Sequence, residues 1–430
     1  VETIEEESPR HIPPTIEKEG SGYRVSWSVY SVEMLVRRIK PRGFKAEVSV
    51  LLEVDSIHRS NPTLDSASGM DGFSRKLNKK VPEADYGIPW EQMVEDLSGI
   101  VIDTYRTGQP AIKLSEVDLS DSIAWRIDNL LLDGEINLIW ADGGTGKSMF
   151  ALFLSVLAQQ GWMSSDHGLI VEPSNVLYLD YETKPKEVAT RARMIHAGLK
   201  LEAPDVARTS SKIIYNKCEH TFVEEEDYIQ DLIYKNDINL VVIDSMGRAV
   251  SGEMESSESV LPFMASVERL NTTVLIISHS NKQGTLFGSA YTSNSARLVW
   301  EAKRSGSNIQ GMDFSLFCRK ANNVPMQPPQ SWGVDFTDNK VVYTRGDVFA
   351  TDLKGELSYR ELVYRILTDE GDKTKEYLKE KIEEIKDDPL ERIGRNVDSA
   401  VSKLKSTNTI NESDGILSIT SKGDASWESI

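Results

Sequence analysis

Three patterns of apolar positions divide the chain. In the first, Tyr23, Val25, Trp27 and Val29 alternate with polar residues, and residues 44–54 (FKAEVSVLLEV) alternate again, at the period of half-buried strands. Between them residues 33–39 read as a short helix, and Trp90, Met93, Val94, Leu97, Val101 and Tyr105 recur at amphipathic-helix spacing. Residues 55–88, with their Ser, Asn, Asp, Gly and Pro, read as loop or linker. A small N-terminal α+β module over residues 21–110 follows. Ahead of it residues 1–20 are acidic, proline-bearing and without period, the pattern of a disordered lead.

In the middle pattern, short runs are mostly apolar without alternation: residues 136–140, 176–180 (VLYLD), 240–244 (LVVID) and 273–278 (TVLIIS), with residues 212–215 a further candidate. Helix-like stretches over residues 149–157, 222–235 and 255–270 separate them. Continuous apolar strands alternating with helices predict a mainly parallel sheet covered on both faces. Residues 297–302, 313–320, 332–336 and 340–343 have no helices between them and predict an antiparallel extension. In the last pattern, residues 359–367, 374–385 and 395–404 read as three helices, followed by a hairpin that turns at Ser413-Asp414-Gly415. Three helices and a hairpin make a winged-helix pattern over residues 351–430.

Composition narrows the classes. At 430 residues the chain has room for two or three domains. A formal charge of −18 argues against general coating of nucleic acid but not against a basic cleft. Arg37, Arg38, Lys40 and Arg42 make one basic cluster, which reads either as a phosphate contact or as a solvated face. Cys218 and Cys318 lie far apart with no metal-type spacing, and no apolar run is long enough to span a bilayer. A reducing cytoplasm is the expected compartment. The chain starts at Val1, which fits a processed or trimmed product or part of a longer chain.

The chemistry starts where the run 136–140 ends. Ala141-Asp142-Gly143-Gly144-Thr145-Gly146-Lys147-Ser148 joins that strand to the helix from Met149. Glycines let backbone N–H groups converge on a polyphosphate, and the helix N-terminus faces it. Lys147 reaches the β- and γ-phosphates, and Ser148 supplies a hydroxyl to Mg²⁺. Asp142 to Met149 are therefore the candidate ATP contacts, with Ala141 where such loops usually have their first glycine. Asp244 ends an apolar strand and is placed to hold Mg²⁺ with Ser148. Glu182, just past the strand 176–180, is placed to activate water, with Asp180 its competitor. His279, after residues 273–278, is placed to sense the γ-phosphate.

In order, GGTGKS, YLDYET, VVIDSMGRAVSG, LIISHSNK and FGSAYTSNSARLVWEAKR resemble the RecA-like ATPases of the RepA-type hexameric helicases of plasmids and phages, which are similar to DnaB-like and KaiC-like cores. The resemblance covers about residues 125–323. It implies a RecA-like P-loop NTPase core over residues 111–350, a homo-oligomeric, hexameric ring, and action on single-stranded DNA in replication of a phage or mobile element. Position by position it makes Lys147 and Ser148 the phosphate and Mg²⁺ residues, Glu182 the base, Asp244 the second Mg²⁺ residue and His279 the sensor. It puts Arg248 and Lys282 on DNA. The trans-acting cation falls on Arg319-Lys320-Ala321-Asn322, where Asn322 stands in the family's arginine slot, so Lys320 and Arg319 are the leading candidates, with Arg297 behind them. The winged helix is left for DNA or for an initiator, primase or loader protein. Two other uses of the same core are a recombination-mediator ATPase and an ATP-controlled DNA-binding regulator.

Overall fold

The computed structural model describes residues 13–40, 42–108, 111–116, 124–161, 163–164, 169–199, 213–281, 284–288, 290–308 and 311–420. The chain forms two compact units, Val1–Asp121 with Glu224–Asp237, and Ser122–Val223 with Ile238–Ile430.

The first unit holds a five-stranded antiparallel meander: β1 (Thr15–Glu19), β2 (Gly22–Trp27), β3 (Val32–Lys40), β4 (Lys45–Leu52) and β5 (Asp55–Ser60). Two long helices follow, α1 (Ala67–Lys80) and α2 (Trp90–Thr107), with a single helical turn at Glu83–Tyr86 between them. Three expectations are corrected here. The stretch read as a helix over 33–39 is strand β3, because Val32, Met34 and Val36 bury on one face while Glu33, Leu35 and Arg37 take the other. The stretch read as linker over 55–88 is structured: the Ser66 side chain caps α1, and Phe73 and Leu77, four apart, enter the core. Within the acidic lead, Thr15–Glu19 is a strand whose Glu19 pairs with Arg24 at 2.6 Å and Arg37 at 2.9 Å, so its charge does not keep it loose. Residues 1–12 lie outside the described residues. Val29, expected on strand β2, is exposed beyond the strand end. Trp90, Met93, Val94, Leu97 and Val101 of α2 share one apolar core with β2, β3 and β4.

The second unit is α/β. Its elements run β6 (Ile136–Ala141), α3 (Lys147–Gln160), β7 (Val176–Asp180), α4 (Pro185–Gly198), β8 (Ile214–Lys217), α5 (Phe222–Lys235, which from Glu224 belongs to the first unit), β9 (Leu240–Asp244), α6 (Ser257–Glu268), β10 (Thr273–His279), α7 (Ala290–Ser295), β11 (Leu298–Asn308), β12 (Gly311–Ala321), β13 (Gln330–Phe336) and β14 (Val341–Gly346). One nine-stranded sheet has the order β8–β7–β9–β10–β6–β11–β12–β13–β14. From β8 to β11 neighbours are parallel; from β11 to β14 they are antiparallel. The strand read as the first of the antiparallel extension is thus also the last of the parallel half.

That extension covers the helix after the phosphate loop. Phe150 of α3 stacks on Phe314 with ring centroids 4.6 Å apart, and Phe153 stacks on Tyr343 at 4.0 Å. The α3 stretch from Phe150 to Ala158 is buried on every side. At Gly146, where φ is +101°, the backbone calls for glycine, and the Met312 methyl packs close to where a Cβ would stand.

After β14 come α8 (Tyr359–Glu370), β15 (Lys373–Thr374), α9 (Lys375–Glu383), α10 (Leu390–Ser406), β16 (Ile410–Ser413) and β17 (Ile416–Ile419). The three strands form a small sheet, β15–β17–β16. A capping box of Ser358 and Glu361 starts α8. Phe317 of β12 joins the apolar cluster of these helices.

Candidate nucleotide site

Parallel strands put their carboxyl ends on one edge of a sheet, where ligands bind in such folds. Here Ala141, Asp180, Asp244 and His279 stand at the ends of β6, β7, β9 and β10. Register sets them side by side in two pairs, Asp180 with Asp244 and His279 with Ala141.

The phosphate loop is held from within. Thr145 Oγ1 donates to the Asp142 carbonyl at 2.7 Å, and the Asp142 side chain bonds Ser280 after β10. Lys147 is buried, its ammonium 2.9 Å from the Ala141 carbonyl and 2.8 Å from that of Asp142. Burial lowers its pKa, partly offset by the carboxylates of Asp244, Asp142 and Glu182. A cation held at the cost of desolvation is primed for a phosphate.

Ser148 Oγ donates to Asp244 Oδ1 at 3.0 Å, so the two expected Mg²⁺ residues stand together. Their hydroxyl and carboxylate oxygens are hard donors that suit Mg²⁺, an ion that takes its other ligands from phosphate and water. Asp244 Oδ2 accepts from the fully buried Tyr178 hydroxyl at 2.6 Å. Burial raises the Asp244 pKa, against the hydrogen bonds from Tyr178 and Ser148. Burial also pushes Tyr178 well above its ordinary value, so the phenol stays a donor.

Glu182 and Asp180 separate by role. Asp180 is 1% exposed, and its Oδ1 accepts from the backbone N–H of Glu182 at 2.7 Å and of Thr183 at 2.8 Å, which fixes the turn. Glu182, carried by that turn, keeps a carboxylate 39% exposed to the cleft. Ser245 Oγ donates to Glu182 Oε1 at 2.5 Å. His279 bridges the two functional groups, with Nε2 3.7 Å from Glu182 Oε1 and Nδ1 3.5 Å from Lys147 Nζ.

The remaining expected residues lie elsewhere. Arg248 is exposed on the one-turn helix after β9 and donates to the Tyr181 carbonyl at 3.4 Å. Lys282 lies outside the described residues; Gly143 and Gly144 lie within the loop between β6 and α3, and Met149 in the first turn of α3. Lys320 Nζ donates to the carbonyls of Ser293, Asn294 and Ala296 at 2.6, 2.9 and 2.7 Å, closing the end of α7. Arg319 donates to Glu301 at 2.7 Å and lies 3.8 Å from Glu356, while Arg297 pairs with Glu135 at 3.4 Å. These three cations are each engaged within their own chain.

Three site residues escaped the sequence reading. Tyr178 looks like a core tyrosine of an apolar strand, and its only signal is the period of two that puts it on the face of Asp180. Ser245 follows the strand aspartate without pattern. Arg304 of β11 has its guanidinium 3.5 Å from the Gly144 carbonyl, beside a cleft of 860 Å³ lined by the phosphate loop and by residues of β11.

A glycine loop between a strand and a helix, a buried lysine, a hydroxyl–carboxylate pair and a carboxylate facing the cleft make a P-loop ATPase-like core. A sequence family described as AAA domain matches residues 115–285, which include every one of these groups. That stretch is similar to an AAA domain; β12, with Lys320 and Arg319, lies beyond it. The curated proteins include no match to the chain. Among solved structures, a KaiC-like protein from the hyperthermophilic archaeon Pyrococcus horikoshii OT3 is similar over 51% of this chain and 93% of its own, with 15% identity and a TM-score of 0.38. No helix among the described residues is long and apolar enough to cross a membrane.

Proposed function

We propose that this protein is a Mg²⁺-dependent ATP hydrolase that works as an assembly of its own copies on single-stranded DNA, with nucleotide setting the state of the assembly, as a RecA/KaiC-like recombination mediator or an ATP-controlled DNA-binding regulator does. The observation that carries it is the convergence of Lys147, Ser148, Asp244, Glu182 and His279 on one sheet edge. Lys147 binds the terminal phosphates, Ser148 and Asp244 hold Mg²⁺, Glu182 takes a proton from water, and His279 links the base to the lysine. Mg²⁺ would neutralise charge developing on the transferred phosphoryl group. Transition-state charge also calls for a cation from a neighbouring copy, which is the reason for an assembly. Lys320 and Arg319 are the candidates by position, and each must leave its own partners to serve; this favours slow basal turnover. The C-terminal helices and hairpin are read as a winged helix that contacts DNA or an initiator, primase or loader.

The second reading is a hexameric replicative helicase, favoured by the order of motifs through residues 125–323. One experiment separates the two. ATP hydrolysis is measured with and without single-stranded DNA, with Lys147→Ala and Glu182→Gln as controls and with mass followed in the same samples. Slow turnover with a nucleotide-dependent assembly supports the first reading. A closed ring with strong DNA stimulation and directional unwinding supports the second. A monomer with no DNA response sinks both.

A further inference from the structure

The basic cluster of the first unit splits in the structure. Arg37 is drawn in between Glu19 at 2.9 Å and Asp231 at 3.2 Å, and Arg38 reaches Glu47, which Arg59 also holds. Lys40 and Arg42 stay exposed at the tip of the β3–β4 hairpin. Lys45 joins them, because the strand register sets it directly opposite Lys40. Like charges directly opposite across a ladder repel. The α2 helix adds Arg106 from its last turn, whose guanidinium lies 5.1 Å over the Phe44 ring at the same tip. None of Lys40, Arg42, Lys45 and Arg106 has an acidic partner among the described residues.

An aromatic ring lies within this cluster. Tyr105 packs edge-on against Phe44 with centroids 5.6 Å apart and is still 37% exposed. Four cations with no acidic partner among the described residues, on a chain of charge −18 and two of them held face to face, make a local site for anions. Cations that track a backbone beside an exposed ring are the elements of single-strand binding, where phosphates meet charge and bases stack.

We propose that the β3–β4 tip and the last turn of α2 bind single-stranded DNA, with Lys40, Arg42, Lys45 and Arg106 on phosphates and Tyr105 under a base. The site rests on the reading of the protein as a DNA-acting ATPase, and gives that ATPase a hold on DNA outside its catalytic domain.

The test is fluorescence anisotropy of a labelled oligo-dT titrated with the full chain across a series of KCl concentrations. The triple variant Lys40→Ala, Arg42→Ala, Lys45→Ala should bind at least about tenfold more weakly, with a log–log salt slope shallower by about 2. Its ATP hydrolysis without DNA should equal that of the wild type, which reports an intact fold. Tyr105→Leu should weaken binding roughly fivefold or more, and Tyr105→Phe should not. Unchanged affinity and slope in the triple variant would overturn the site while leaving DNA action in place. A wild-type chain that binds no oligo-dT would overturn both. Equal affinity of the wild type for a duplex would overturn the assignment to single strands.

Discussion

The two halves of the nine-stranded sheet use charged residues in opposite ways. In the parallel half, Asp244, Glu182 and Lys147 are brought to a common edge, with Glu182 open to the cleft and Lys147 buried against carbonyls. In the antiparallel half, Lys320 and Arg319 are spent on closing a helix end and on pairing with Glu301. Parallel strands joined by crossovers put every loop of one polarity on one side, so side chains there meet. Antiparallel neighbours send alternate loops to opposite edges, and their charges find local partners instead. The same residue type can therefore gather at an open cleft in one half and serve the fold in the other.

The strongest way to break this comparison is to remove charges from the parallel half. Lys147→Ala should take ATP hydrolysis below detection with the fold intact by circular dichroism. Glu182→Gln should lower kcat by about 10²- to 10⁴-fold while a fluorescent ATP analogue still binds. If Glu182→Gln turned over at the wild-type rate, Asp180 would return as the candidate base, although its bonds to two backbone N–H groups already give it the turn.

Ser245 sharpens the same point. It is 1% exposed and its hydroxyl holds the Glu182 carboxylate, so Ser245→Ala should reduce kcat by about tenfold or more with KM nearly unchanged. In a Glu182→Gln background the same change should do little more, since its effect runs through the base. A matching loss in both backgrounds would make Ser245 merely structural.

These cases show what the sequence makes legible. The glycine loop, Lys147 and the strand-end acids can be picked out from the sequence, but it does not separate Asp180, which holds a turn, from Glu182, which faces the cleft. Five of the six parallel strands follow from runs such as LVVID, whereas β11 reads as part of the antiparallel extension and its parallel pairing with β6 has no local signal. Tyr178 and Ser245 stay hidden, since their partners are 66 and 63 residues away and a core tyrosine or a turn serine looks the same with or without them. Strand β3 was misread because Glu33, Arg37 and Arg38 sit among its apolar residues at spacings that also fit a helix face. The role of Lys320 needs three carbonyls some 25 residues earlier, and nothing local signals them.

Acid should expose the cost of burying Asp244. Its raised pKa means it takes up a proton at a higher pH than an ordinary aspartate, and a neutral Asp244 has no charge for Mg²⁺. The acid limb of kcat/KM should lie above the ordinary aspartate range and move to lower pH when Mg²⁺ is raised. The sign for folding is opposite: with its folded pKa raised, this group favours the fold most below the unfolded value and loses that contribution as pH rises through the folded one. A limb that ignores Mg²⁺ would assign it to another group.

The smallest effects belong to the antiparallel half, and they separate its two cations. Lys320→Ala leaves three carbonyls at the end of α7 without their donor and should cost about 1–3 kcal/mol of stability, read as a lower denaturation midpoint. Arg319→Ala, at a side chain 40% exposed, should cost less than about 1 kcal/mol. Activity then tells whether either also serves a neighbouring site, as the proposed assembly requires. Mixed with inactive Glu182→Gln subunits, a variant lacking the trans-acting cation should recover turnover, because its intact base meets the cation of the other chain. Recovery with Arg319→Ala and none with Lys320→Ala would make Arg319 the residue that leaves its own chain, and would keep Lys320 as the structural one.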